Sequence, residues 1–275
     1  MNINISVASE PPEHIIIREA LSEYPFYRFT CKVDSYTGLE KVMLTVGDKE
    51  YEGTLSGMDV SVDGTGALLY NAGAVDSACP VFDEAHPVSF RDTPISDIIA
   101  NYGFEIDGPE MLSAEMSILN MSHSDADMVL ALANMGSSPA FVDFKNKKIT
   151  FLSRLYKQKP VDVLAGFQGT YSRPLSVGYT LSEPNATLYG GKETPNVVLE
   201  GGRPITHAAG VMASLVKNYN DLAALWSKKQ TFTTDGQDIP VGSMVVSALT
   251  DDKRLVVAKE AVYTPRGARF TYWVV

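Results

Sequence analysis

The chain has 275 residues, 45% hydrophobic and 20% charged, enough apolar material for one large core or two to three small ones, which excludes a disordered chain. No apolar run approaches the roughly 18 to 20 residues of a membrane-spanning helix, and Met1 to Glu10 has neither the basic flank nor the apolar stretch of a signal peptide, so the expected place of synthesis and retention is a cytoplasm. A net charge of −10 argues against general nucleic-acid binding.

The first 80 residues predict strands separated by turn residues: His14–Ala20, Tyr27–Asp34, Lys41–Val46, Tyr51–Val62 and Ala67–Ala72. Phe29, Cys31 and Val33, then Val42, Leu44 and Val46, alternate with period 2, the mark of a half-buried sheet. Tyr36-Thr-Gly, Gly47-Asp and Asp63-Gly-Thr-Gly supply turn chemistry at short spacing, and together these features predict an antiparallel barrel or sandwich.

Between about 86 and 155 the texture changes. Thr93 is placed to cap a helix with Pro94 at its first position; Ile95, Ile98, Ile99 and Tyr102 share one face, and Gly103 ends it. Ser124 with Asp127 three residues on is an acidic relative of the capping box, opening a helix with a stripe of Met128, Val129, Leu132 and Met135 that Gly136 stops. Phe141–Phe144, Asn146-Lys147 and Ile149–Leu152 read as a short hairpin. From Tyr156 onward strands resume (Ala165–Tyr171, Val177–Leu181, Asn196–Glu200). A long helix over 207–229 is expected next, with Thr206 at its start and Val211, Met212, Leu215, Tyr219, Leu222 and Trp226 at helical spacing. Gln230–Thr234, Ser243–Leu249 and a closing hairpin, Leu255–Tyr263 and Ala268–Val275 joined at Pro265-Arg-Gly, complete the chain. The division expected is 1–85 as a first β-barrel domain, 86–155 as an α/β insert and 156–275 as a second β-barrel domain. The fold class is mainly β with an α+β insert.

A search for chemistry finds no catalytic set. His14, His86, His123 and His207 are far apart and none stands four residues from another, so no zinc pattern can be drawn. Cys31 and Cys79 occur singly and read as free thiols. His123-Ser124-Asp125 contains the residue types of a hydrolase triad, but adjacent side chains point apart and cannot form a proton relay. Gly190-Gly191-Lys192 approaches a phosphate loop, yet Ala186 stands where that pattern needs glycine and Glu193 where it needs Ser or Thr. Carboxylates are plentiful, and nothing singles out one pair for glycoside hydrolysis. Lys145, Lys147 and Lys148, with Arg154, Lys157 and Lys159, are the densest basic stretches; without interleaved aromatic platforms they read as a solvated face or a protein contact. No catalytic residue, cofactor or metal is therefore assigned.

The charge is uneven along the chain. Residues 1–140 hold 22 Asp/Glu against 6 Lys/Arg, a net of −16, and residues 141–275 hold 11 against 17, a net of +6. This asymmetry is either incidental solvation of two surfaces or the mark of halves that meet their counterparts in a neighbouring subunit.

The order of parts resembles a known family. A β-region is followed by Asp92 to Gly103 (DTPISDIIANYG), Met121 to Gly136 (MSHSDADMVLALANMG) and Ala140 to Phe144 (AFVDF). This order is similar to the phage tail and baseplate hub family: the late-control (gene D) proteins, the baseplate hub of large contractile phages, and the hub half of VgrG-type spikes of type VI secretion. The family's helix opening, S-D-x-D-F-x-x-x-L-A, is met here except that Met128 stands at the aromatic position. Thr206 to Leu215 resembles its Ala-rich helix, Ile239 to Val246 its l-x-P-G-d-x-v strand opening, and Leu255–Val275 its closing hairpin.

The resemblance implies a structural, non-enzymatic subunit: a homotrimer whose chains each supply two tube-like barrels. These would form a pseudo-sixfold ring joining a hexameric tail tube to a trimeric spike, with a channel for DNA or tape-measure protein. Expected partners are further copies of itself, the tail tube protein, a spike protein on a separate chain and the tape-measure protein, with no membrane and no specific DNA contact. The expected location is the virion tail or baseplate, assembled in the host cytoplasm. In such a ring acidic first-half barrels would alternate with basic second-half ones, and the interface candidates chosen by charge density are Glu50, Glu52, Asp59, Lys145, Lys147 and Lys148. Alternative readings are a hub of a bacterial secretion or tailocin particle and, in another class, a glycan-binding or glycan-cleaving β-protein using Trp226 or Trp273.

Overall fold

A computed structural model describes residues 1–21, 23–35, 40–79, 87–108, 115–122, 124–133, 136, 138–164, 196–198, 204–207, 230–235, 237–247 and 251–275. The chain divides into two compact units, the first made of Met1–Cys79, Pro160–Ser172 and Gln230–Val274, the second of Pro80–Lys159 and Arg173–Lys229 with Val275. The fold is mainly β, as the sequence predicts.

In chain order the elements are β1 (Ile3–Ile5), β2 (Ile15–Ala20), β3 (Phe26–Val33), β4 (Lys41–Val46), β5 (Lys49–Val62), β6 (Leu68–Asp76), β7 (Pro87–Pro94), α1 (Ile95–Asn101), β8 (Glu105–Asp107), β9 (Glu115–Ser122) and α2 (Asp125–Ala133). They continue with β10 (Ala140–Asp143), β11 (Lys148–Phe151), α3 (Leu152–Leu155), β12 (Asp162–Leu164), β13 (Asn196–Val198), β14 (Pro204–His207), β15 (Gln230–Asp235), β16 (Met244–Ser247), β17 (Lys253–Thr264) and β18 (Gly267–Val274).

The first unit is one eleven-stranded sheet in the order β1-β4-β5-β6-β3-β2-β17-β16-β12, with β18 beside β17 and β15 beside β18. Alternation decides which face is inner. Tyr27, Phe29, Cys31 and Val33 of β3 are buried while Arg28 is exposed, and Val42, Leu44 and Val46 of β4 are likewise buried. The same face continues through Ile15 and Ile17 of β2, Ala261 and Tyr263 of β17, Phe270 and Tyr272 of β18 and Phe232 of β15, all buried. Short turns set the register. Gly47, at φ +60, opens the two-residue link between Val46 and Lys49. Asp63 Oδ1 accepts from the backbone N of Thr65 at 2.8 Å and of Ala67 at 3.0 Å, closing the β5–β6 turn.

Residues 1–79 and 230–274 share this sheet because β2 and β17 pair antiparallel from Ile15↔Tyr263 to Ala20↔Ala258. The expected first and second barrel segments are thus continuous through a ladder of backbone hydrogen bonds. The sheet curls back on itself: the Met1 amino group donates to Pro265 O at 2.7 Å and Lys49 meets Asp238, although several strands separate these positions in the sheet order.

The second unit contains a three-stranded sheet, β10-β11-β8, and a four-stranded one, β13-β14-β9-β7. Helix α1 buries Ile95, Ile98 and Ile99, and Gly103, at φ +79, follows its C-cap Tyr102. In α2 the Ser124 hydroxyl accepts from Asp127 N at 3.1 Å and donates to the Asp127 carboxylate at 2.7 Å, and Met128, Val129 and Leu132 are buried. The β10–β11 hairpin turns through Lys147 at φ 51, with Asp143 Oδ1 accepting from Asn146 N at 2.9 Å.

Several expectations change. Thr93 is not the α1 cap: the cap position is Pro94 without a side-chain bond, and the Thr93 hydroxyl donates to Arg91 O inside β7. Because β7 runs straight into α1, proline's fixed φ makes the transition in place of a capping hydroxyl. Thr206 and His207 pair as strand β14 with β13 and β9 instead of opening a helix; the remainder of the helix expected over 207–229 lies outside the described residues, as do Ala165–Tyr171, Val177–Leu181, Met135 and Gly190–Lys192. Strands β1, β7, β8, β9 and β12 were not predicted; three of them are only three residues long, too short for a period to show.

Candidate functional site

The inner face of the eleven-stranded sheet ends in a polar cluster. Lys259 of β17 is 6% exposed, and its Nζ lies 2.9 Å from Glu19 of β2 and 3.0 Å from Asp238. Asp238 also pairs with Lys49 of β5. Burial by itself would lower the Lys259 pKa, but the Glu19 and Asp238 carboxylates outweigh it and hold the ammonium above its ordinary value. Burial likewise opposes ionisation of Asp238, and its bonds to Lys49 and Lys259 reverse this, holding it below the usual carboxylate range.

Tyrosines enclose the charges. Tyr272 accepts from Ile239 N at 2.8 Å and donates to Gln237 O, and burial lifts its pKa to about 12. Tyr27 donates to Asp76 and packs edge-on against Tyr51 with ring centroids 5.9 Å apart. Burial, and after it the neighbouring phenols and carboxylates, drive Tyr27 and Tyr263 well above the ordinary phenol range, so they remain neutral donors. Each cation here faces a carboxylate, and each carboxylate of the Lys259 cluster faces a cation. Such a saturated set holds strands together and offers no unpaired base or nucleophile. Among the described residues no group of three or more His, Cys, Asp and Glu could hold a metal ion.

The sequence search missed this cluster. Its one visible signal is Lys259 itself, a lysine on the inward phase of the apolar run Leu255–Ala261. Its partners, Glu19 and Asp238, are 240 and 21 positions away and are brought to it only by the curl and the β2–β17 pairing.

The residues chosen by charge density are placed as follows. Glu50, Glu52 and Asp59 all fall on the outer face of β5, because a bulge between Leu55 and Gly57 shifts the phase of the strand by one. Glu52 is already paired with Lys41 at 3.1 Å. Lys145 and Lys147 are exposed in the β10–β11 turn, while Lys148 lies 3.0 Å from Asp107, which Arg154 also approaches at 3.4 Å. The acidic excess of residues 1–140 is divided between the units: residues 1–79, in the first, hold 12 Asp/Glu against 5 Lys/Arg, and residues 80–140, in the second, hold 10 against 1, while residues 230–274 of the first unit hold 5 of each.

Cys31 and Cys79 are buried and form no disulfide, and burial raises the Cys31 thiol to about 11. Trp273 lies in β18 opposite Ala258 and Thr231, whereas Trp226, His86 and His123 fall outside the described residues.

No protein-family model matches the chain, and no curated protein matches it in sequence. Solved structures do match: the fold, a mainly β chain dominated by a curled antiparallel sheet, is one found in phage-type tail proteins. Over 99% of this chain and 95% of the other, it is similar to a tail protein from Neisseria meningitidis MC58, at 10% identity and a TM-score of 0.63. It is equally similar to the 43 kDa tail protein of prophage MuSo2 from Shewanella oneidensis, at 12% identity and TM-score 0.62 over 99% and 97% of the two chains. A third likeness is to an E. coli component of the type VI secretion system that itself resembles bacteriophage T4 tail proteins; there the identity is 10% and the TM-score 0.61, over 100% of this chain and 76% of that one.

Proposed function

We propose that this chain is a non-enzymatic structural subunit of a phage-type tail or baseplate, in the position of a hub. The observation that carries the reading is the end-to-end fold likeness to two tail proteins at TM-scores of 0.63 and 0.62. The saturated charge cluster supports it: the sheet's polar core is built to fix a curvature. In this reading the strands of residues 1–79 and those of 230–274 are two tube-like walls carried on one chain, three chains close an annulus with pseudo-sixfold walls, and the annulus adapts the tail tube to a spike while leaving a passage for DNA. The location that follows is the virion tail, with tube, spike and tape-measure proteins as partners. Glu50, Glu52 and Asp59 on the outer face of β5, and Lys145, Lys147 and Lys148 at the β10–β11 turn, are the proposed contact residues.

A second reading, the corresponding position in a secretion particle, is favoured by the likeness to the type VI component. Both predict the same test. Negative-stain images of the purified full chain, across salt concentrations, are expected to show a three-subunit annulus with a central channel. A monomer under all conditions, or turnover of cell-wall glycan by the protein, sinks the reading.

A further inference from the structure

Beyond Leu55, whose N donates to Glu40 O at 2.9 Å, strand β5 has no outer strand paired to it among the described residues. β4 pairs with β5 only from Lys49 to Thr54, while β6 accompanies it to Val62. From Ser56 to Val62 the outer edge of β5 therefore has no strand beside it among the described residues. Natural sheets protect such edges with lysine, proline, other charges or bulges; here the bulge falls between Leu55 and Gly57, before the valines, and after it Asp59 is the one charge and there is neither lysine nor proline up to Val62.

The inner face runs out into solvent at the same place. One cross-strand row passes from Cys31 through Tyr70 to Val60, with exposures of 3%, 0% and 41%; the next passes from Val33 at 5% through Leu68 to Val62 at 64%. Apolar rows that begin in the core thus end uncovered on β5. Acids stand beside the ends of these rows: Asp59 precedes Val60 and Asp63 follows Val62, and the one cation paired there, Lys32, is shared between Glu10 at 3.5 Å and Asp63 at 4.0 Å.

The same chain carries a surface of opposite character. Residues 144–159 hold six Lys/Arg and no Asp/Glu; Lys148 and Arg154 share Asp107, and Lys145, Lys147, Lys157 and Lys159 are exposed. Within them Tyr156, 43% exposed, follows α3 and stands among Arg154, Lys157 and Lys159. Among the described residues the exposed large hydrophobics are Met1, Val60, Val62, Tyr156 and Val161, so the acid-flanked valines and the base-flanked tyrosine account for three of them.

We propose that Val60 and Val62 at the open edge of β5 are covered by the basic turn Arg154–Lys159 of a second copy of this chain, Tyr156 supplying the apolar contact and Lys157 and Lys159 facing Asp59 and Asp63. This rests on the reading of the chain as a ring-forming subunit and names the surfaces that meet. The two patches differ, so the contact is heterologous: each copy offers one patch to each neighbour, the arrangement that closes a ring and not a two-fold pair. Charge sets the pairing, since two acidic edges or two basic turns repel.

The test uses the full chain with Val62→Cys mixed with the full chain with Lys157→Cys and a short bismaleimide; the native cysteines are both buried. A covalent dimer is expected in the mixture, falling by about tenfold at ~1 M salt, where charges are screened within roughly 3 Å, and by a similar factor when Val60→Glu is added. Neither variant alone should cross-link to itself. Efficient self-linking of Val62→Cys overturns the proposal in favour of a two-fold contact. An annulus in images without the mixed cross-link overturns it while leaving the ring reading intact; a monomer in images without the cross-link removes both.

Discussion

Lys259 stands directly opposite Glu19 across the β2–β17 ladder, its ammonium 2.9 Å from the carboxylate, and so ties the last part of the chain to the first. A buried ion pair contributes little net stability, but removing one partner strands the other and costs about 3 to 5 kcal/mol. Lys259→Met should therefore destabilise by about 3 kcal/mol at pH 7, read as a lower urea midpoint. Asp238→Ala should behave similarly, because it leaves Lys49 and Lys259 sharing one carboxylate fewer.

The pH dependence of the same cluster has a defined sign. Asp238 is held below its ordinary pKa, so its contribution is present above about pH 4 and is lost as pH falls through the folded value. Lys259 is held above its ordinary value, so its contribution is present below about pH 10 and is lost as pH rises through the folded value. Urea midpoints should be flat between these limits and fall outside them, and the gap between wild type and Lys259→Met should narrow at both ends. A gap that stays constant from pH 3 to 11 would show that the cluster does not act through charge.

Gly136 lies against the ring of Phe151, which is fully buried; a Cβ at this position would sit 2.3 Å from one ring carbon and 2.7 Å from another. The ring is packed and the glycine follows α2, so neither can give easily. Gly136→Ala should cost about 2 kcal/mol, seen as a fall in the thermal midpoint, whereas Gly136→Ala combined with Phe151→Leu should recover part of the loss.

The strands of the first 80 residues were legible because one face is buried and the other wet: Val42, Leu44 and Val46 print the period directly, and β4 falls on the predicted Lys41–Val46. Helix α2 was legible for a second reason, the local chemistry of Ser124 and Asp127. What could not be read was long-range pairing. Nothing near Ile15 or Tyr263 says that these residues will be opposite one another, and with that pairing goes both the continuity of the sheet and the Lys259 cluster. The acidic trio of β5 was chosen by charge density alone; that its members share a face depends on the bulge after Leu55, which no local pattern announces.

Ser124 caps α2 through its own hydroxyl, and the bond it returns to Asp127 places a carboxylate at the positive end of the helix. Ser124→Ala should lower stability by about 1 kcal/mol, and Ser124→Asp should lose less, since aspartate caps equally well but stands opposite Asp127. Urea midpoints of the two variants check the order; a larger loss for Asp than for Ala would mean repulsion outweighs the cap.

Reversing Glu50, Glu52 and Asp59 to lysine tests the proposed contact through its electrostatics. Exposed pairs contribute up to about 1 kcal/mol each, so the triple variant should raise the dissociation constant of the assembly by roughly tenfold at low salt, equivalent to about 1.4 kcal/mol. The effect should fade as salt rises, because the screening length shrinks from about 10 Å at 0.1 M to about 3 Å at 1 M. Glu52 already faces Lys41 within its own chain, so Glu52→Lys alone should weaken assembly less than Glu50→Lys or Asp59→Lys. Sedimentation equilibrium at two salt concentrations gives the answer: an unchanged oligomer for the triple variant at both would show that these carboxylates do not lie at a subunit boundary.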